Sequence, residues 1–290
     1  MEERWTILKV LQWTTGHFKR RGIEQPRANA EVLLAHVLEM DRIQLYLHYD
    51  KPLGRTELAR YRELVRRRAA REPSQYITGR QEFWSLEFEV NPAVLIPRPE
   101  TEILVERAAD ILRNSGGTAL DLGTGSGAIA IALARECPTI RILATDRSPA
   151  ALTVAKRNAM RLHVRDRIHF AAMDLLGGFS LPACSFDLIA SNPPYISDGD
   201  FLNLPPEISR YEPESALRGN GPAGLGVIHR ILTEAPAFLK KDGHLLVEIG
   251  QGQAEILREE SATGIQMEHM EFIKDYSGIY RVLHLWGPIG

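Results

Sequence analysis

Cysteine is almost missing from this chain of 290 residues, where Cys137 and Cys184 are the only two. They sit in no CxxC or Cys/His spacing, so neither a disulfide framework nor a zinc site is expected. No apolar run approaches the ~20 residues of a membrane span. The N-terminus MEERWTILKV has no apolar leader segment, so a soluble protein of the reducing cytoplasm is expected. A basic excess is lacking too, with 35 Lys and Arg against 37 Asp and Glu and a net charge of −2. Tight duplex binding neutralises many phosphates, so stable nucleic-acid binding over the whole surface is not expected, although a local basic patch stays open. Repeats and low-complexity segments are absent, as are the spacings of serine hydrolases, P-loops and HExxH proteases.

What remains is an ordinary globular balance, 44% apolar and 25% charged, long enough for one large domain or a typical domain plus a smaller one. The first 78 residues read as helical. Apolar positions recur at three and four in WTILKVLQWTTGHF and in PRANAEVLLAHVLEM, where Pro26 suits a first helical turn. A third helix is expected in LGRTELARYRELVRRRAARE (53–72), with Thr56 as N-cap and a dense arginine face. That face is either solvated and paired with glutamates one turn away or a docking surface for an RNA-rich or acidic partner. Residues 79–98 form a linker, in which FWSLEFEV alternates like a strand or hairpin arm before three prolines break the chain. From 99 to 290, strands (TALDLG, RILATD, IHFAAMD, FDLIASN, GHLLVEIG) alternate with helices, and FIKDYSGIYRVLHLW reads as a closing hairpin. The fold class is therefore α/β, a doubly wound, mostly parallel sheet preceded by a small helical domain. Ligands in such sheets sit outside the carboxyl ends of the strands, and Asp121, Asp146, Asp174 and Asn192 all fall there.

DLGTGSGAIA (121–130) joins the first of those strands to its helix. Gly123, Gly125 and Gly127, with Thr124 and Ser126 between them, allow a tight turn and close approach of a ligand. The loose G-x-G-x-x-A match is weak alone, but Asp146, about 20 residues on, can hold a ribose diol in a nicotinamide or an adenosyl ligand. Asp121, just before the first glycine, would repel a pyrophosphate and welcome a cationic group. S-adenosylmethionine, with an amino group, a sulfonium and no phosphate, fits better. Asp174 would accept from the adenine amino group.

SNPPY (191–195) ends the fourth strand, where two prolines forbid both helix and central strand. A conjugated nitrogen is a poor nucleophile because its lone pair is delocalised. Two acceptors on its N–H groups, the side-chain oxygen of Asn192 and the carbonyl of Pro193, would turn that lone pair toward a methyl donor. Pro193 and Pro194 fix the direction of the carbonyl, and Tyr195 offers a flat face to a planar group.

REPSQYITGRQEFWSLEF, LIPRPETE, DLGTGSGAIA, SNPPYI, YEPESALRGNGPAGL and KDYSGIYRVL together resemble the HemK/PrmC family over nearly the whole chain. LIPRPETE and YEPESAL are more specific than NPPY, which amino-directed DNA and RNA methyltransferases share. The resemblance implies a Rossmann-like class I methyltransferase that moves a methyl from S-adenosylmethionine to the N5 of glutamine in the Gly-Gly-Gln loop of class 1 release factors. It implies that Gly123 to Gly127 and Asp146 bind the donor, that Asp174 and Leu175 flank adenine, and that Asn192 to Tyr195 hold the substrate amide. Phe83, Arg98 and Glu100 belong to segments that line the site in similar proteins. The N-terminal helices would dock the factor, and a monomer with no metal is expected. Two departures stand out: Leu175 replaces a tryptophan common among relatives, and Pro222 and Ala223 replace a more usual acidic-Gly-Leu ending.

Other readings stay open on residues alone. The same strand-end amide serves nucleic-acid amino methyltransferases and ribosomal-protein glutamine methyltransferases. The glycine loop alone would admit a nicotinamide oxidoreductase, and a binding module that has lost turnover would keep the fold.

Overall fold

Residues up to Arg80 fold into α1 (Ile7–Arg20), α2 (Pro26–Leu38), α3 (Arg42–Leu47), α4 (Arg55–Ala69) and α5 (Ser74–Thr78) in the computed structural model. It describes residues 4–113, 116–177, 184–261 and 266–289. Pro26 takes the first position of α2, where its missing N–H costs nothing. Ile7, Leu11, Phe18, Leu33, Leu34 and Tyr61 form the buried seam between the helices. The cap of α4 differs from expectation: Gly54, not Thr56, is the N-cap, because Glu57 reaches back to accept from the Gly54 N–H at 2.6 Å. Much of the arginine face is engaged internally. Arg66 pairs with Glu63, Arg67 with Glu72, and the buried Arg68 with Asn29 and Glu207. Arg71 also pairs with Glu207. Glu207 belongs to Pro205–Tyr211, which clusters with these helices although the sequence on both sides of it belongs to the second unit. No pattern in the sequence signals that membership.

The second unit takes Gln81–Leu204 and Glu212–Gly290. FWSLEFEV does not form one arm. It is split into β1 (Arg80–Phe83) and β2 (Leu86–Glu89) by a turn at Trp84 and Ser85, whose φ values are 53° and 55°. Such a two-residue left-handed turn matches strand twist but strains side chains larger than glycine. Glu102 offsets that strain by accepting from the Trp84 N–H at 2.7 Å, and Glu136 by accepting from its indole N–H at 2.8 Å.

The remaining elements are α6 (Glu102–Leu112), β3 (Thr118–Leu122), α7 (Ala128–Glu136), β4 (Arg141–Asp146), α8 (Pro149–Arg161), β5 (Ile168–Ala172) and β6 (Phe186–Ser191). They continue with α9 (Asp198–Phe201), α10 (Pro206–Ser209, in the first unit), α11 (Gly226–Glu234), β7 (Leu239–Glu248), α12 (Gln253–Ser261), β8 (Met267–Lys274) and β9 (Tyr280–Pro288). The seven-stranded sheet runs β5-β4-β3-β6-β7-β9-β8, parallel except for the last two pairings. Pro236 stops the run GVIHRILTEAPAFLK, so α11 ends at Glu234 and β7 begins four residues before the expected glycine. Strand order reverses between β3 and β6, which places their carboxyl ends at the topological switch point. Among the described residues no helix is long and apolar enough to cross a membrane.

Candidate active site

A cavity of about 670 Å³ opens at that switch point, within the second unit and within the usual size of small-molecule sites. Gly123–Ser126 from the β3 loop, Asp146 at the end of β4, Asp174 and Leu175 after β5, and Asn192 and Pro194 after β6 all line it, with Phe83 from β1. Ten of the expected residues thus share one cavity. Asp121, Gly127, Pro193, Tyr195, Arg98 and Glu100 are not among its walls.

The glycine loop turns with φ of 72°, 55° and 86° at Gly123, Gly125 and Gly127. A Cβ on Gly127 would meet Ile131 at 2.9 Å, whereas one on Gly123 would meet nothing within 4 Å. Gly127 therefore serves packing, and Gly123 leaves open space for a ligand. Asp121 lies buried behind the loop. Its Oδ2 accepts from the Thr124 hydroxyl at 2.6 Å and the Ala130 N–H at 3.1 Å, while its Oδ1 has no partner. Burial pushes the Asp121 carboxyl up to about 7, against the pull of those two donors.

Asp146 is tied into the same loop, accepting from the Gly125 N–H at 2.9 Å and the Ser148 N–H at 2.8 Å. These bonds aim a carboxylate at the cavity and leave further lone pairs for a diol. Asp174 is half exposed and accepts from Arg230 at 3.2 Å. Leu175 follows it in a left-handed conformation, φ 52°, packed against the core.

Asn192 follows β6 with its Nδ2 donating to the Thr101 hydroxyl at 2.9 Å. Thr101 in turn donates to Glu248 Oε2 at 2.6 Å, and Tyr195 donates its hydroxyl to Glu248 Oε1 at 3.3 Å. Tyr195 is placed differently from the stacking role expected of it. Its ring packs on the core and its hydroxyl points to a buried acid, and of the residues expected to meet the substrate, Asn192, Pro194 and Phe83 line the cavity instead. Arg98 is drawn off to the buried Glu212 at 2.5 Å, and Glu212 also accepts from the Ile96 N–H at 3.1 Å. These bonds join LIPRPETE to YEPESAL. Thr101, Glu212 and Glu248 were not singled out from the sequence. The signal for Glu248 is a single acid inside the apolar LLVEIG, and buried acids without a partner or a role are rare.

Burial pushes Glu248 up to about 7, with Glu100 adding to the rise and Thr101, Tyr195 and Arg281 opposing it. Asp121 and Glu248 therefore hold protons more tightly in the folded state than in the unfolded chain. Their contribution to stability is full at low pH and is lost as pH rises from about 4 to about 7. Replacing Glu248 by glutamine removes its share. The melting temperature of Glu248→Gln, relative to wild type, should rise between about pH 5 and pH 8. A pH-independent difference in thermal melts would show that Glu248 titrates as an ordinary carboxyl.

Two family models match the chain: the PrmC N-terminal domain over residues 9–79 and the Methyltransferase small domain over residues 99–206. Release factor glutamine methyltransferases are similar along nearly the whole length. That of Geobacter sulfurreducens is 47% identical, over 87% of both chains. Those of Rhodopirellula baltica (38%, over 97% of this chain and 96% of that one) and Chlorobaculum tepidum (40%, 97% and 97%) extend further. Among solved structures, the hMettl16 catalytic domain in complex with MAT2A 3'UTR hairpin 6 aligns with a TM-score of 0.57, 17% identity, and 75% and 81% of the two chains covered. A methyltransferase from Pyrococcus furiosus aligns with a TM-score of 0.52 and 19% identity, over 70% and 90%. At such identities the two structures speak for the fold alone. The enzyme is a methyltransferase, and by the identity and coverage of its relatives this chain belongs to the release factor glutamine methyltransferase family.

Proposed function

We propose that this enzyme moves a methyl group from S-adenosylmethionine to the side-chain amide nitrogen of the glutamine in the Gly-Gly-Gln loop of class 1 release factors. The observation that carries the reading is the Asn192 amide on the cavity wall, its NH₂ tied to Thr101 and its oxygen left to accept. The residues present fit the donor. Open space beside Gly123, the carboxylate of Asp146 and the unpartnered Oδ1 of Asp121 suit, in turn, a close-lying ligand, a ribose diol and a cationic amino group. When bound, S-adenosylmethionine supplies an electrophilic methyl on sulfonium.

Asn192 Oδ1 and the Pro193 carbonyl accept the two N–H groups of the substrate amide and so turn its lone pair toward the donor side of the cavity. Pro193 and Pro194 hold that carbonyl rigid. A methylated amide nitrogen is acidic enough to lose its proton to water, so the site needs no strong base. The first unit offers a surface for a protein partner, since Trp13, Ile43, Leu47 and Tyr49 are all more than half exposed.

The test is transfer of label from S-adenosylmethionine to a release factor, its Gly-Gly-Gln→Gly-Gly-Ala variant and bulk nucleic acid offered in parallel. Label on the intact factor alone is expected. Label on nucleic acid alone would overturn the substrate while leaving the strand-end chemistry standing.

A further inference from the structure

We propose that Thr101 and Glu248 are positioning residues that decide which way round the Asn192 amide stands. A hydroxyl has one proton. Thr101 gives its proton to Glu248 Oε2 at 2.6 Å, so only lone pairs remain for Asn192, 2.9 Å from the same oxygen. Only the NH₂ of Asn192 can meet those lone pairs, which leaves Oδ1 free to accept. The polarity of the chain is set at its far end, because an ionised carboxylate can only accept. Thr101 and Glu248 are 3% and 1% exposed, so water does not compete for these bonds. Tyr195 donates to the other carboxylate oxygen, so the one buried acid ties down the first and the last residues of NPPY.

Protonation of Glu248 undoes this arrangement. The new O–H can donate to Thr101, whose own proton is then released to point at Asn192. An amide turned over to meet it would present N–H groups to the substrate's N–H groups, the wrong complement for a glutamine amide. The groups that face Glu248 are Thr101 and Glu100 from the turn before α6, Tyr195 from the NPPY loop, and Arg281 from β9. Arg281 is itself held by Asp275 at 3.0 Å. Burial, with Glu100, outweighs Arg281 and brings the carboxyl up to about 7. Turnover is therefore expected to rise as pH climbs through that value, because the ionised form is the one that holds Oδ1 outward.

The consequence for turnover rests on the glutamine-methylation reading, whereas the relay does not. Three variants and two readouts separate them. Thr101→Val keeps the shape and loses the hydroxyl, and its kcat should fall ~10–10²-fold with donor affinity by calorimetry unchanged. Thr101→Ser should recover most of that loss. Glu248→Gln should lose the rising limb of the kcat–pH profile. The second readout needs no turnover: the Asn192 side-chain amide protons in a ¹⁵N spectrum. In the wild type one should exchange slowly and shift with an apparent pKa near that of Glu248, and in Thr101→Val it should do neither. Wild-type kinetics in Thr101→Val, or an Asn192 resonance indifferent to that change, would overturn the relay. A wild type that labels no release factor would overturn the function instead, and the amide resonances would then decide the relay alone.

Discussion

Asn192→Ala should lower turnover ~10²–10³-fold, the scale for one preorganised polar contact and equivalent to about 3–4 kcal/mol of barrier. The loss should fall on kcat. The donor's expected contacts lie along the glycine loop and Asp146, which this change leaves in place, so S-adenosylmethionine affinity by calorimetry should stay near the wild-type value. The fold should survive as well, since Thr101 keeps Glu248 as its partner when Asn192 is truncated. Asn192→Asp is the sharper companion. It retains an acceptor oxygen, yet it turns a second acceptor toward a hydroxyl whose proton is already given to Glu248. Removing the amide without restoring a donor to Thr101 should leave this variant about as slow as the alanine variant. Either variant with most of its rate would mean that substrate orientation does not depend on this amide.

The parts legible in the sequence are those governed by local periodicity and by chemistry tied to strand ends. RILATD is β4 residue for residue, and Asp146 and Asn192 stand where the strands expire, as the alternation of βαβ units requires. What escaped depends on partners far away in the chain. The Thr101–Glu248 bond spans 147 positions, and nothing around Thr101 announces it. The ring of Tyr195 follows the same buried acid, so a local reading of NPPY sent it toward the ligand. Asp121 was read as facing a cation. Its Oδ1 is left for such a group, but its Oδ2 also braces Thr124 and Ala130, a task the strand-end position did not signal. The hairpin turn at Trp84 and Ser85 carries no glycine or asparagine to mark it, because Glu102 and Glu136 hold it from outside the hairpin.

The NPPY backbone is itself held from outside, which makes Gly224 a sensitive small residue near the site. Ile196 donates to the Leu217 carbonyl at 2.9 Å and accepts from the Gly219 N–H at 3.0 Å, while Gln253 donates to the Tyr195 carbonyl at 2.9 Å. Backbone thus lies directly on backbone. A Cβ on Gly224 would stand 2.2 Å from the Tyr195 carbonyl oxygen and 2.8 Å from the Ser197 nitrogen. Neither is the end of a flexible side chain, so relief has to come from displacing the loop that carries Asn192. Gly224 also has φ of 67°, which alone costs a side chain ~1–2 kcal/mol. Adding overpacking of ~1–3 kcal/mol, Gly224→Ala should lose about 3 kcal/mol or more of stability and much of kcat. Gly221 is the internal control, with φ of 79° but nothing within 4 Å of its Cβ position. Gly221→Ala should lose only the conformational part and keep its rate. Urea denaturation and kcat measured for both variants check this directly. Equal losses would mean that backbone conformation, not the contact with Tyr195, fixes this loop, while a large loss of rate confined to Gly224→Ala would show that the YEPESALRGNGPAGL segment holds the strand-end amide in place.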